Sequence, residues 1–203
     1  PGQRKFTEAD LPSGNVKREL YEFSRDLLDQ VGYREVGMDH FALAHDSLFS
    51  AATNGNLHRN FMGYTAQRVE PLIGLGVSAI GDSWNVFSQN EKVLEKYQEK
   101  ISQGQLPLLR GHVLNSEDLI LRKHILNLMT AFRTDFSDRE EFDNIESISN
   151  RLRPLIDDGL VEFTEMSCIV AEAGKPFLRN ICMAFDARLA RKAPELALFS
   201  KTI

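Results

Sequence analysis

The chain has 203 residues, 42% of them hydrophobic, with 24 Lys and Arg against 29 Asp and Glu and a formal net charge of −5. That size allows a sizeable core in one large or two small domains, and the acidic balance argues against a general electrostatic attraction to nucleic acid or an anionic membrane surface. The apolar runs fall short of the ~20 residues that a membrane-spanning helix needs, and two cysteines are too few for a disulfide scaffold, so a soluble protein of a reducing cytoplasm is expected.

In chain order, Val16, Leu20, Phe23, Leu27 and Val31 recur at helical spacing between Ser13, a residue type that caps helices, and Gly32, which can adopt the left-handed stop. Tyr33 to Met38 reads as a strand delivering Asp39 and His40 at its C-terminal end. That helix-then-strand order suits a βα repeat, in which such strand ends carry the chemistry. Asp46 caps a short helix through Ala52 that Gly55 closes, and LHRNFMGYT, Leu57 to Thr65, reads as an irregular loop. Leu72 to Ile80 is apolar but punctuated by Gly74 and Gly76, as in a buried strand whose backbone another group approaches closely. Ser88 and Glu91 make a capping box for a helix through Ile101, stopped at Gly104.

Gln105 to Gly111, with Pro107, is the expected boundary, dividing 1–108 from 109–203. Beyond it Ser116 opens a helix with the apolar stripe Leu121, Ile125, Leu128, Met129 and Phe132. A second helix runs from Ile145 to Asp158, with Pro154 kinking or delaying it and Gly159 ending it. LVEFTE and CIVA read as a hairpin, and a last helix carries Phe177, Ile181, Phe185 and Leu189, with Pro176 in its first turn. Helices followed by a hairpin suggest a winged-helix-like module.

Gly37 to Thr65 holds three of the five histidines. His58, Arg59 and Asn60 place an imidazole, a five-donor guanidinium and an amide in consecutive positions, and their simplest reading is a polar surface with Arg59 in an ordinary ion pair. His40, His45 and His58 with Asp39 are ligand types for zinc or iron, but none forms the HExxH pattern, and no metal site is expected. Asp39 and His40 could form an acid–base pair, with bracing of the turn the simpler reading. Phe61 and Ile80 read as core residues, His112 and His124 have no suggestive company, and Cys168 and Cys182 read as small core residues rather than cluster ligands. The charged stretch Arg179 to Lys192 reads as a solvated helix face.

The segments GMDHFAL, LHRNFMGYT and GLGVSAIGD, with PGQRKFTEADLPSG at the start and RNICMAFD and FSKTI near the end, resemble the oxygen-independent coproporphyrinogen III oxidases, radical S-adenosylmethionine enzymes of haem biosynthesis. The resemblance implies an α/β plus α+β fold: the C-terminal portion of a radical-SAM, partial TIM-like barrel in 1–108, then a small, mostly helical winged-helix-like domain in 109–203. The family's CxxxCxxC motif is absent, so the chain is expected to be about the C-terminal half of such an enzyme, silent alone, with the 4Fe–4S ligands in the other half.

By the same resemblance Arg59 is the residue to hold a propionate, and Ile80 matches the position that contacts a second S-adenosylmethionine. Phe61 and Met62 occupy positions where the family has Phe followed by Gln near the active site; a thioether cannot donate the amide's hydrogen bonds. His58, Asn60, Asp39 and His40 complete the expected active-site lining, with no catalytic residue in this chain. The implied reaction converts two propionates of coproporphyrinogen III to vinyl groups, giving protoporphyrinogen IX, in a cytoplasmic enzyme that is a monomer when full length and binds neither nucleic acid nor membrane. Two alternatives are a haem chaperone or haem-utilisation relative, against which LHRNFMGYT speaks, and a non-enzymatic winged-helix interaction module, whose recognition helix would balance Arg151 and Arg153 with Asp157 and Asp158.

Overall fold

A computed structural model describes residues 7, 10–136 and 145–192. Residues 1–6 and 199–203, which carry part of the family resemblance, lie outside the described residues. Helix α1 (Gly14–Gln30) begins where Ser13 accepts a hydrogen bond from the Val16 amide and stops at Gly32, φ 91°. Its apolar stripe is not covered: Val16, Leu20, Phe23, Leu27 and Val31 are all exposed, Phe23 at 63%. Its other flank, where Leu28 is half-buried, makes the contacts to the rest of the chain, among them the Tyr21 hydroxyl donating to Glu35 at 2.8 Å and the Arg18 guanidinium 5.9 Å from the Phe177 ring.

Strands β1 (Tyr33–Gly37) and β2 (His40–Leu43) form an antiparallel hairpin, which corrects the expected βα repeat. Met38 and Asp39, at φ 29° and 63°, make a two-residue turn, and a connection that short can only return the chain antiparallel. Helix α2 (Ser47–Thr53) follows, capped as expected by Asp46, which accepts from the Leu48 amide at 2.7 Å. The expected irregular loop is a second hairpin, β3 (His58–Asn60) and β4 (Gly63–Thr65). Arms of three mixed residues carry too little alternation to be read locally.

Strands β5 (Ile80–Ser83), β6 (Val86–Asn90) and β7 (Leu108–Val113) form an antiparallel sheet in the order β5-β6-β7. Leu72 to Ile80 is not the expected buried strand: Leu72 makes one isolated bridge to Asp82, and Leu75 is 87% exposed. Ser88 lies inside β6, so the expected capping box does not form. Helix α3 (Leu94–Ser102) starts later without a side-chain cap, and Glu91 pairs with Lys100 at 2.7 Å. Because β7 pairs with β6, the 108/109 division falls at the first residue of a strand belonging to this sheet.

Helix α4 (Ser116–Ala131) opens in a capping box between Asn115 and Asp118. After it come β8 (Arg133–Asp135), α5 (Ile145–Asp157) with Pro154 inside it, and the expected hairpin β9 (Val161–Phe163) and β10 (Ser167–Val170). The sheet order is β8-β10-β9, so β8 adds a strand that three residues of sequence did not signal. The expected last helix is broken into a 3-10 turn, Glu172–Phe177, which holds Pro176, and two helices, α6 (Leu178–Ala184) and α7 (Ala187–Lys192). Asp186 causes the break by capping the Leu189 amide at 2.8 Å.

The main core lies in this later part, where Leu128, Ile148, Leu152, Ile181, Phe136 and Phe185 are 0–2% exposed. The fold is mixed α/β, every strand pairing is antiparallel, and the described residues form no closed barrel. Among them no helix is long and apolar enough to cross a membrane.

Candidate functional site

Arg59 and Tyr64 face each other across the β3/β4 hairpin, and the Arg59 guanidinium carbon lies 4.8 Å from the centre of the Tyr64 ring. The Tyr64 hydroxyl donates to the Met129 carbonyl at 2.8 Å, which fastens the hairpin to α4. Burial pushes the Tyr64 phenol up to about 12, with the Arg59 charge opposing that rise. Nη1 of Arg59 is buried and meets no hydrogen-bond partner among the described residues. A half-buried guanidinium lying on a ring, with one buried and unused donor, is a different object from the solvated ion pair of the simplest sequence reading.

The first hairpin packs on the second through glycine. A Cβ at Gly37 would fall 2.6 Å from the Tyr64 hydroxyl, and one at Gly63 (φ 118°) would fall 3.2 Å from Nε2 of His40. His40 lies edge-on to Tyr64, ring centroids 5.0 Å apart, and its Nδ1 donates to the Met38 carbonyl at 2.8 Å. That bond braces the turn, as the simpler reading of Asp39 and His40 expects. Asp39 itself is exposed, and His58 is half-buried opposite Thr65.

At the tip of the second hairpin, Asn60 accepts from the Met62 amide at 2.8 Å, which leaves Phe61 and Met62 projecting, Met62 at 83% exposure. The Phe61 ring meets Phe87 of β6 edge-on at 5.2 Å. Phe87 stands opposite Asp82, and Ile80, two residues earlier on β5, shares that face of the sheet and is 37% exposed. The sheet and the hairpin tip therefore bring Ile80, Phe87 and Phe61 onto one surface. Ile80 is not the buried strand residue its neighbours suggest. A Cβ at Gly74 would lie 2.6 Å from the Ile80 carbonyl oxygen, so the expected close approach is real there, whereas at Gly76 (φ 98°) a Cβ would meet open space.

Sequence reasoning missed Tyr64, Asp82, Phe87 and Arg122. Arg122 on α4 donates from Nη2 to both Asp82 carboxylate oxygens, at 2.7 and 2.9 Å, and lies 4.8 Å from the Phe87 ring. The one local signal was that Arg122 sits off the apolar stripe of its helix. His112 and His124 do have company: His112 Nε2 is 3.2 Å from Asp118, and His124 is buried with Nδ1 2.7 Å from the Thr134 hydroxyl.

No group of three His, Cys, Asp or Glu among the described residues could hold a metal ion. Cys168 on β10 and Cys182 on α6 are both buried, and burial pushes both thiols up to about 12. Two inert thiols on separate elements do not fit a 4Fe–4S cluster, which takes closely spaced thiolates.

No family model matches the chain. The oxygen-independent coproporphyrinogen III oxidase of Salmonella typhimurium is 40% identical over 207 residues, covering 99% of this chain and 45% of that protein. The enzymes of that name from Escherichia coli and Helicobacter pylori are 39% and 33% identical over 99% and 98% of the chain. A solved structure of coproporphyrinogen III oxidase from Escherichia coli, described as a radical SAM enzyme, matches with a TM-score of 0.83 and 39% identity over 92% of this chain and 44% of that one. The chain thus spans a little under half the length of the curated relatives it matches. With that likeness running through nearly all of its sequence and through its fold, the chain belongs to the oxygen-independent coproporphyrinogen III oxidase family.

Proposed function

We propose that the chain is the C-terminal part of an enzyme that oxidatively decarboxylates two propionates of coproporphyrinogen III to vinyl groups, and that it supplies the substrate-facing surface. The observation that carries this reading is Arg59, a guanidinium with a buried, unused Nη1 stacked on Tyr64 in the hairpin that presents Phe61 and Met62. Coproporphyrinogen III bears carboxylates, and a half-buried guanidinium with a spare donor can hold one through a charge-assisted bond that partial exclusion of water strengthens. Ile80 and Phe61 offer an apolar face suited to S-adenosylmethionine. Met62, with no amide, adds only surface.

Radical generation belongs to the rest of the enzyme, because this chain has no ligand set for the 4Fe–4S cluster. The uncovered stripe of α1 is where that remainder packs, consistent with a chain that matches 45% of its relative's length. Two units meeting between β7 and α4, close to the 108/109 division, suit this arrangement. The order β8-β10-β9 beside α4 and α5 supports a winged-helix-like later unit. A cytoplasmic monomer is the matching assembly.

In the full-length enzyme, Arg59→Ala raises KM for coproporphyrinogen III by about ten-fold or more, as loss of a charge-assisted bond predicts, with a smaller change in kcat. Unchanged kinetic constants refute the assignment.

A further inference from the structure

We propose that Arg122 is a positioning residue that sets Phe61 against the active-site face through the ring of Phe87. The proposal rests on the reading of Phe61 and Ile80 given above. Asp82, Phe87 and His112 form one row across β5, β6 and β7, each opposite the next in register. Helix α4 clasps both ends of that row with side chains one turn apart: Arg122 binds Asp82 at 2.7 and 2.9 Å, and Asp118 meets His112 at 3.2 Å. Phe87, between the two clasps, has the Arg122 guanidinium 4.8 Å from its ring centre and the Phe61 ring edge-on at 5.2 Å.

Phe61 lies at a hairpin tip, where its backbone is fixed on one side by the Asn60 turn. The Phe61 ring packs edge-on against the Phe87 ring, so the plane of Phe87 sets where Phe61 stands. That plane is in turn set by a guanidinium that Asp82 holds at two oxygens. Arg122 is 25% and Asp82 9% exposed, so the pair is shielded enough to keep a defined geometry. A helix of the later unit thereby adjusts a side chain of the earlier one without touching substrate. Ile80, on the same face as Asp82, stands beside the same assembly.

The test uses the full-length enzyme, with 4-fluorophenylalanine incorporated at position 61 as a fluorine-NMR probe. Arg122→Lys keeps a cation for Asp82 but lacks the planar group that stacks on Phe87. The fluorine resonance is expected to shift, and KM for S-adenosylmethionine to rise about five-fold, the scale of one cation–π contact, with kcat changed less. Phe87→Leu, which leaves the Asp82–Arg122 pair intact, should reproduce both effects, and adding Arg122→Lys to it should produce no further change.

A fluorine resonance unmoved by Arg122→Lys overturns the proposal, as does a moved resonance with unchanged kinetics. If Phe61→Ala itself leaves turnover and KM unchanged, the site reading falls and the proposal falls with it. If Phe61→Ala is impaired while Arg122→Lys is not, only the positioning role is refuted.

Discussion

The Tyr64 hydroxyl donates to the Met129 carbonyl across 2.8 Å, a bond between residues 65 apart in sequence that ties the hairpin bearing Arg59 to the last turn of α4. Tyr64→Phe removes the bond and keeps the ring beneath the guanidinium, so it should cost about 1 kcal/mol of stability, read as a lower denaturation midpoint at unchanged m-value. The phenol's raised value fixes the sign of the pH effect. The stabilisation is complete below the unfolded value near 10 and is lost as pH rises through about 12, so the cost of Tyr64→Phe should be constant from pH 6 to 9. A cost that vanishes by pH 8 would count against this tether.

Gly74 and Gly76 should separate by mechanism. A methyl group at Gly74 would fall 2.6 Å from the Ile80 carbonyl oxygen, a backbone atom that cannot swing away, so Gly74→Ala displaces the start of β5 and impairs folding. At Gly76 the space is open and only the φ of 98° opposes a side chain, so Gly76→Ala should cost about 1–2 kcal/mol. Thermal denaturation of the two variants side by side decides this, and equal losses would refute the distinction.

Asp118 holds α4 and α7 together. Arg188 reaches its two oxygens at 2.7 Å each, and that hydrogen bonding, with the Asn115 amide and His112 adding to it, holds the Asp118 carboxyl well below the usual carboxylate range. A depressed value means stability that is present above the unfolded pKa near 4 and is lost as pH falls through the lower folded value. Asp118→Asn should therefore be less stable than the parent at pH 7, and the gap should narrow as pH drops below about 4. Urea titrations at pH 7 and pH 3 check it. A gap that widens in acid has the wrong sign.

The isolated chain, incubated anaerobically with iron, sulfide and S-adenosylmethionine, should form no 4Fe–4S cluster and release no 5′-deoxyadenosine. Both of its thiols are buried, with protons held up to about 12, and they stand on different elements. Absorbance and electron paramagnetic resonance of the incubated protein measure this. A stable cluster would falsify the division of roles between this chain and the remainder of the enzyme.

The sequence determined what is encoded in short windows. Ser13 and Gly32 bound α1, Asp46 caps α2, Gly159 closes α5, and the count of two cysteines withheld a cluster site, because caps, stops and ligand counts depend only on neighbouring residues. The segments around Arg59 and Ile80 pointed to the right family for a similar reason: their residue types are specific as they stand.

Tertiary structure alone decided the rest. Three-residue arms such as His58–Asn60 carry no local signal of the hairpin that Tyr64 ties to Met129, and Ser88 looks like a helix cap until β6 pairs on both edges. The apolar stripe of α1 has the period of a core helix, yet it is uncovered, since period records which face is apolar and not what lies against it. Arg122 and Asp82 are 40 residues apart, and neither carries a local sign of the other. Their pairing depends on the register of β5 and the orientation of α4, both set by non-local packing that no window of sequence contains.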